Sequence, residues 1–321
     1  MRQFLIFASI YLCLGVALVF LVRENPATLL AFVYLKTMNL AGSLLVYAKY
    51  LGIFVIIGLF LTRHLGIANR VVPMIYAILG CMLFSSAFSL WKTTIPYVVP
   101  FYADEMLADL DAWMHFGVDP WILVHQFSDM IPANTVVTLY FWMWTLPAIF
   151  LPVIIATTDT DPDRTKRFLI LHVICWIGLG NVVAAMFSSV GPVYYDRLLG
   201  GVRFADLNLA LETSGMSATK LGIVQEGLWK QYVENSQTIG SGISAFPSVH
   251  VGVSAVFALY IYERSRLLAP FAILFLIAIC FCSVYNGWHY AVDGYVSIAL
   301  IYAAWAALRR RNVAFAPMAP A

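Results

Sequence analysis

Ser244-Ala245-Phe246-Pro247-Ser248-Val249-His250 and, about 40 residues later, Asn286-Gly287-Trp288-His289-Tyr290-Ala291-Val292-Asp293 are short polar signatures, and each opens a long apolar run. Pro247 suits the first position of a helix, where its missing N–H is not needed, and Gly240-Ser241-Gly242 before it is loop chemistry. A helix is therefore expected from about Pro247, with His250 in its first turn. The free amides and positive dipole end of such a turn form a ready site for an anion such as phosphate. His289 and Asp293 are four residues apart, so on a helix they share a face and the carboxylate can accept from one ring nitrogen. That contact fixes the tautomer and makes the other nitrogen a better nucleophile or base. The candidate catalytic residues are His289, His250 and Asp293.

The apolar runs set the fold class. The chain is 62% hydrophobic and 11% charged, with a mean hydropathy of +0.83, the composition of a multispanning membrane protein. An apolar run of about 20 residues crosses a bilayer as a helix. About eight such runs are expected, near 3–22, 43–62, 71–91, 133–156, 168–189, 247–262, 267–285 and 289–308. The expected architecture is all-α and integral to the membrane. Two additional N-terminal helices with an interfacial segment occupy 1–65. A six-helix catalytic domain occupies 66–321, with an amphipathic outer segment at 93–132 and an outer cap at 190–246.

A net charge of +2 gives no reason to expect a nucleic-acid partner, but its distribution orients the chain. Cytoplasmic loops are rich in Lys and Arg. A cytoplasmic N-terminus puts Arg2, Arg63, Arg70, Arg164, Lys166, Arg167, Arg264, Arg266 and the cluster Arg309-Arg310-Arg311 on that side, together with the C-terminus. Residues 93–132, with Asp104, Glu105, Asp109, Asp111, Asp119 and Asp129 and no Lys or Arg, then fall outside. Both signatures lie at the outer ends of their helices, so the chemistry is expected on the periplasmic, luminal or extracellular face. Arg2 precedes an apolar run, but Val22-Arg23-Glu24-Asn25 offers no small-residue cleavage site, so an uncleaved first span is expected. Cys13, Cys81, Cys175, Cys280 and Cys282 all lie in apolar spans, a spacing that supports neither a disulfide framework nor a zinc site.

Pro247-Ser248-x-His250 followed by His289-Tyr290-x-x-Asp293 resembles the second and third motifs of the type 2 phosphatidic acid phosphatase superfamily. The forms Phe-Pro-Ser-x-His and His-Tyr-x-x-Asp are similar to its branch of inositol phosphorylceramide (aureobasidin-resistance) and sphingomyelin synthases. The resemblance implies that His289 attacks phosphorus, Asp293 supports it and His250 protonates the leaving oxygen, with no metal or other cofactor. Two features depart from the phosphatases. No lysine followed seven residues on by Arg-Pro is found, and Ser283 stands six residues before His289 where they carry arginine. The cationic clamp for a phosphomonoester dianion is thus missing. A diester carries one negative charge, so the expected function is transfer of a phospho-headgroup between membrane lipids through a phosphohistidine. The alternative is a lipid or polyprenyl phosphate phosphatase with water as acceptor, and a remote one is a transporter or channel. The metal-dependent CDP-alcohol phosphotransferases are disfavoured because their Asp-x-x-Asp-Gly start is missing.

The candidate substrate contacts are Ser248, Tyr290, Arg197 and Arg203. Arg197, in the aromatic turn Gly191-Pro192-Val193-Tyr194-Tyr195-Asp196-Arg197, and Arg203 are the nearest replacements for the clamp, since guanidinium matches phosphate bidentately. Anchoring at headgroup level is the competing reading. Ala205–Glu212 and Ser217–Glu234 read as helices of a small cap that excludes water and favours an alcohol acceptor. Between 96 and 121, Met106, Leu107, Leu110, Trp113 and Met114 cluster on one side of a surface helix. Its acids are either a solvated face or, through the stripe Asp104, Asp111 and His115, a site for a polar headgroup or divalent cation. Elsewhere, Lys36 points to an interfacial helix after Arg23, and Lys49 is a snorkelling lysine or a substrate contact. His172 and Asn181 are expected to bond between helices.

Overall fold

The computed structural model describes residues 1–28, 30, 31, 34, 35, 38, 42, 70–234 and 242–314. Every regular element among them is helical. In chain order those of eight residues or more are α1 (Arg2–Val22), α2 (Val71–Val98), α3 (Asp104–Met114), α4 (Ala133–Thr158), α5 (Pro162–Met186), α6 (Pro192–Leu199), α7 (Ala205–Thr213), α8 (Lys220–Val233), α9 (Val249–Arg264), α10 (Ala269–Tyr285) and α11 (Ala291–Ala314). Five of them, α1, α2, α4, α5 and α11, are long and apolar enough to cross a membrane. The run at 43–62, with Lys49, and Lys36 before it, lies outside the described residues. The runs expected to span at 247–262 and 267–285 form helices of 16 and 17 residues. At 1.5 Å per residue α9 is about 24 Å long, short of a hydrocarbon core of about 30 Å. Its buried run from Val251 to Val256 shows how this is tolerated, because protein rather than lipid surrounds it.

The chain divides into two compact units. The first comprises residues 1–100, 149–162 and 224–243. In it Phe4, Ala8, Tyr11, Gly15 and Val19 recur every three or four residues and form the buried stripe of α1 against α2. Small residues permit the close approach. A Cβ on Gly80 would lie 2.7 Å from the Phe4 ring, and one on Gly15 would lie 3.0 Å from Trp91. Just past α1, Arg23 is buried, its guanidinium 3.6 Å over the Tyr97 ring and bonded to the Thr93 carbonyl at 3.2 Å.

The second unit comprises residues 101–148, 163–223 and 244–321. At its centre α9 packs against α10, α11 and the π-helical segment Ile174–Val183 of α5. Gly252 makes this possible, since a Cβ there would meet Cys175 Sγ at 2.8 Å. At the end of α9 far from His250, Arg167 of α5 pairs with Glu263 at 2.8 Å, and Trp305 of α11 donates to the same carboxylate at 2.6 Å. A second π-helical segment, Thr138–Met143 of α4, carries Tyr140 into the buried interior. Such segments are rare and recur at functional sites.

Candidate active site

The first signature starts its helix with a cap. Ser248 is the N-cap of α9, and its Oγ accepts from the Val251 amide at 3.3 Å, an arrangement worth about 1 kcal/mol. Pro247 therefore lies before the helix rather than at its first position, and the Phe246–Pro247 peptide is cis. His250 stands in the first turn as expected. Ser248 is fully buried, and its own amide donates to the Asp293 carbonyl at 3.3 Å. That bond ties the start of one signature to the end of the other.

The second signature reaches the expected His–Asp contact by a different route. His289 and Tyr290 precede α11, so the pair is closed by a turn rather than a helical face. The Asp293 amide donates to the Tyr290 carbonyl at 3.2 Å. Asp293 Oδ2 accepts from the Tyr290 amide at 3.2 Å and lies 3.1 Å from His289 Nδ1. A carboxylate can only accept, so Nδ1 carries the proton and Nε2 keeps the lone pair. Asp293 is fully buried and His289 is 5% exposed.

The His250 ring centroid is 6.1 Å from that of His289. Aromatic rings hold His250 in place, with Tyr140 stacked at 4.3 Å, Trp144 at 4.1 Å and Trp288 edge-on at 6.0 Å. The Trp144 indole also donates to the His250 carbonyl at 2.9 Å. Tyr140 and Trp144 belong to a run, Tyr140-Phe141-Trp142-Met143-Trp144, that reads as ordinary apolar span. Their i,i+4 spacing was the only signal that they share a face.

A short segment and one surface helix hold the two signatures together. The Ser189 carbonyl and Oγ accept from the Ala245 and Phe246 amides, both at 3.0 Å. The Val190 and Gly191 amides donate to Asp104 at 2.8 and 2.9 Å, and the Tyr290 hydroxyl donates to the same carboxylate at 3.0 Å. Seven residues along α3, Asp111 accepts from the Ala291 and Val292 amides at 3.0 and 2.9 Å, an anion at the positive end of α11.

These bonds correct the expected face of α3. Asp104 and Asp111 are 2% and 3% exposed, whereas Trp113 is 77% exposed. The two acids are neither a solvated face nor open ligands, because backbone amides occupy their oxygens. Burial pushes both carboxyl pKa values up, against amide hydrogen bonds that favour the charged form. His115, the third member of the stripe, bonds the Asp111 carbonyl through Nδ1 at 2.7 Å and Tyr295 through Nε2 at 3.0 Å. Asp111→Asn removes the charge and turns an amide group toward a backbone donor. Its expected cost is about 1–3 kcal/mol of stability, with a lower kcat and an unchanged KM, while exposed Glu105→Gln leaves both as they are. Thermal unfolding and steady-state kinetics on the two variants check this.

The substrate-contact candidates are placed as follows. The Tyr290 hydroxyl is engaged by Asp104. Arg203 pairs with Asp109 and with Asp119 at 3.3 Å and donates to the Ala108 carbonyl at 3.0 Å. Arg197 lies on the exposed side of α6, which is a helix rather than the expected turn. The helices expected at 205–212 and 217–234 are α7 and α8. His250, His289 and Asp293 are thus brought together, while Ser248 and Tyr290 are joined to their framework.

Residues 105–307 match the PAP2 superfamily over more than half of the chain, and the chain belongs to it. That membership places it among membrane phosphatases and phosphotransferases of lipid chemistry. Neither the curated proteins nor the solved structures contain a match to it.

Proposed function

We propose that the protein transfers a phospho-headgroup from one membrane lipid to the hydroxyl of another, as in the branch of inositol phosphorylceramide and sphingomyelin synthases. His289 Nε2 attacks phosphorus and the bond to the donor lipid's oxygen breaks. His250 gives its proton to that oxygen, leaving a phosphohistidine and a free lipid alcohol. An acceptor hydroxyl then passes its proton to His250 and attacks phosphorus, releasing His289. The observation that carries this reading is the oriented His289–Asp293 pair facing a second histidine 6.1 Å away. Reacting atoms about 3 Å apart and one hydrogen bond to the leaving oxygen fit a gap of that size.

The diester preference has support of its own. Arg203 is already committed to carboxylates. Two buried donors close to His250, Tyr140 Oη and Trp288 Nε1, have no partner among the described residues. Neutral donors suit the single charge of a diester, and a bound phosphoryl oxygen relieves the cost of leaving them unpaired. Purified protein is offered phosphatidic acid, a polyprenyl phosphate or a phosphodiester lipid, each with and without ceramide or diacylglycerol. A new phospholipid that forms only with the acceptor is the expected product. Free phosphate released regardless of acceptor would instead establish the phosphatase.

A further inference from the structure

The end of α9 remote from His250 carries a feature that the phospho-transfer chemistry does not use. A groove of about 300 Å³ opens between α9, α10 and α11, walled by Ala258, Tyr262, Ile273, Leu276, Ile298 and Trp305 among others. The volume is at the lower bound for a ligand site, and the lining is aliphatic and aromatic. Two guanidinium groups rest on its aromatic walls, Arg266 at 3.7 Å over the Tyr262 ring and Arg309 at 5.0 Å over the Trp305 ring. Neither has an acidic partner among the described residues. The acid closest in sequence, Glu263, is taken by Arg167 and the Trp305 indole.

We propose that an anionic glycerophospholipid occupies this groove, with one acyl chain between the helices and its phosphate on Arg266 and Arg309. The apolar wall selects a chain and the unpaired cations select the head. Basic pockets between membrane helices bind anionic headgroups in this way, and guanidinium holds phosphate bidentately. The site is separate from the substrate's, since His250 lies at the opposite end of the 16-residue α9. The lipid would wedge α9 against α11, the helices whose other ends bear His250 and Asp293.

The test is native mass spectrometry of delipidated, full-length protein titrated with dioleoylphosphatidylglycerol or dioleoylphosphatidylcholine. One phosphatidylglycerol should bind per chain, about 30-fold more tightly than phosphatidylcholine, as expected for two arginines near a headgroup. Arg266→Gln with Arg309→Gln should reduce it to the phosphatidylcholine level, and Ile273→Trp, which fills the groove, should abolish tight binding. His289→Ala should leave it unchanged. Equal binding of the two lipids, a preference that survives either groove variant, or a preference lost in His289→Ala would overturn the proposal, the last by assigning the lipid to the active site.

Discussion

His289→Ala is expected to reduce turnover by about 10⁴-fold or more, the scale seen when the nucleophile of a covalent mechanism is removed. That is a loss of about 5 kcal/mol of transition-state stabilisation. Asp293 would then lose its imidazole partner while fully buried, so part of any effect could come from a disturbed fold. His289→Asn separates the two, because its amide can still donate toward Asp293 while offering no nucleophile. Both variants should be equally inactive, and the asparagine variant should unfold close to the wild-type temperature. His250→Ala should behave differently. Removing a general acid costs about 10² to 10⁴, but only where the leaving oxygen needs a proton. With a nitrophenyl phosphodiester, whose leaving group departs unprotonated, His250→Ala should recover much of the first step and His289→Ala none of it. Equal recovery in both variants would sink the assignment of roles.

These residues were legible in the sequence because their chemistry is local. His289 and Asp293 lie within one turn of each other, and Pro247 after Gly240-Ser241-Gly242 signals a helix start just before His250, although Ser248 is the cap and Pro247 is not the first helical residue. Even there the local geometry differed, since the helices begin at Val249 and Ala291 and the His–Asp contact uses a turn. The all-helical class followed from apolar runs, whose lengths are set by the bilayer. What could not be read was long-range. Asp104 and Asp111 sit on a helix whose pattern offers them either water or a ligand, yet they are buried against the amides of Val190, Gly191, Ala291 and Val292, far away in the chain. Tyr140 and Trp144 look like any aromatic residues of a span, and only the arrival of α9 gives them His250 as a neighbour. Arg203 presents the same difficulty in reverse. A cation near a phosphate site suggests a clamp, but the acids that claim it, Asp109 and Asp119, are reached only after folding.

Gly191→Ala is expected to have the largest effect outside the two signatures, although Gly191 carries no functional group. Its φ is +88° with ψ 168°, an essentially glycine-only region that costs an L-residue about 1–3 kcal/mol. Its surroundings matter more. An added Cβ would lie 2.5 Å from the Trp288 carbonyl oxygen and 3.0 Å from Ala245 Cβ, touching the segment before His289 and the segment before His250 at once. The closer contact is with backbone, so no rotamer change relieves it, and one signature must move away from the other. A misplacement of about 1 Å costs about 10² in rate, and kcat/KM should fall by that order. Gly200 supplies the control. Its φ is +73° with ψ 25°, the milder left-handed α region, and its Cβ would meet nothing within 4 Å, so Gly200→Ala carries a positive-φ strain, smaller than that at Gly191, without the clash. It should lose a little stability and keep its activity. If the two variants lost activity equally, strain alone would account for both, and the close approach at Gly191 could not be what sets the spacing of the histidines. A large loss confined to Gly191→Ala would mean that the distance between His250 and His289 is fixed by a residue that belongs to neither signature.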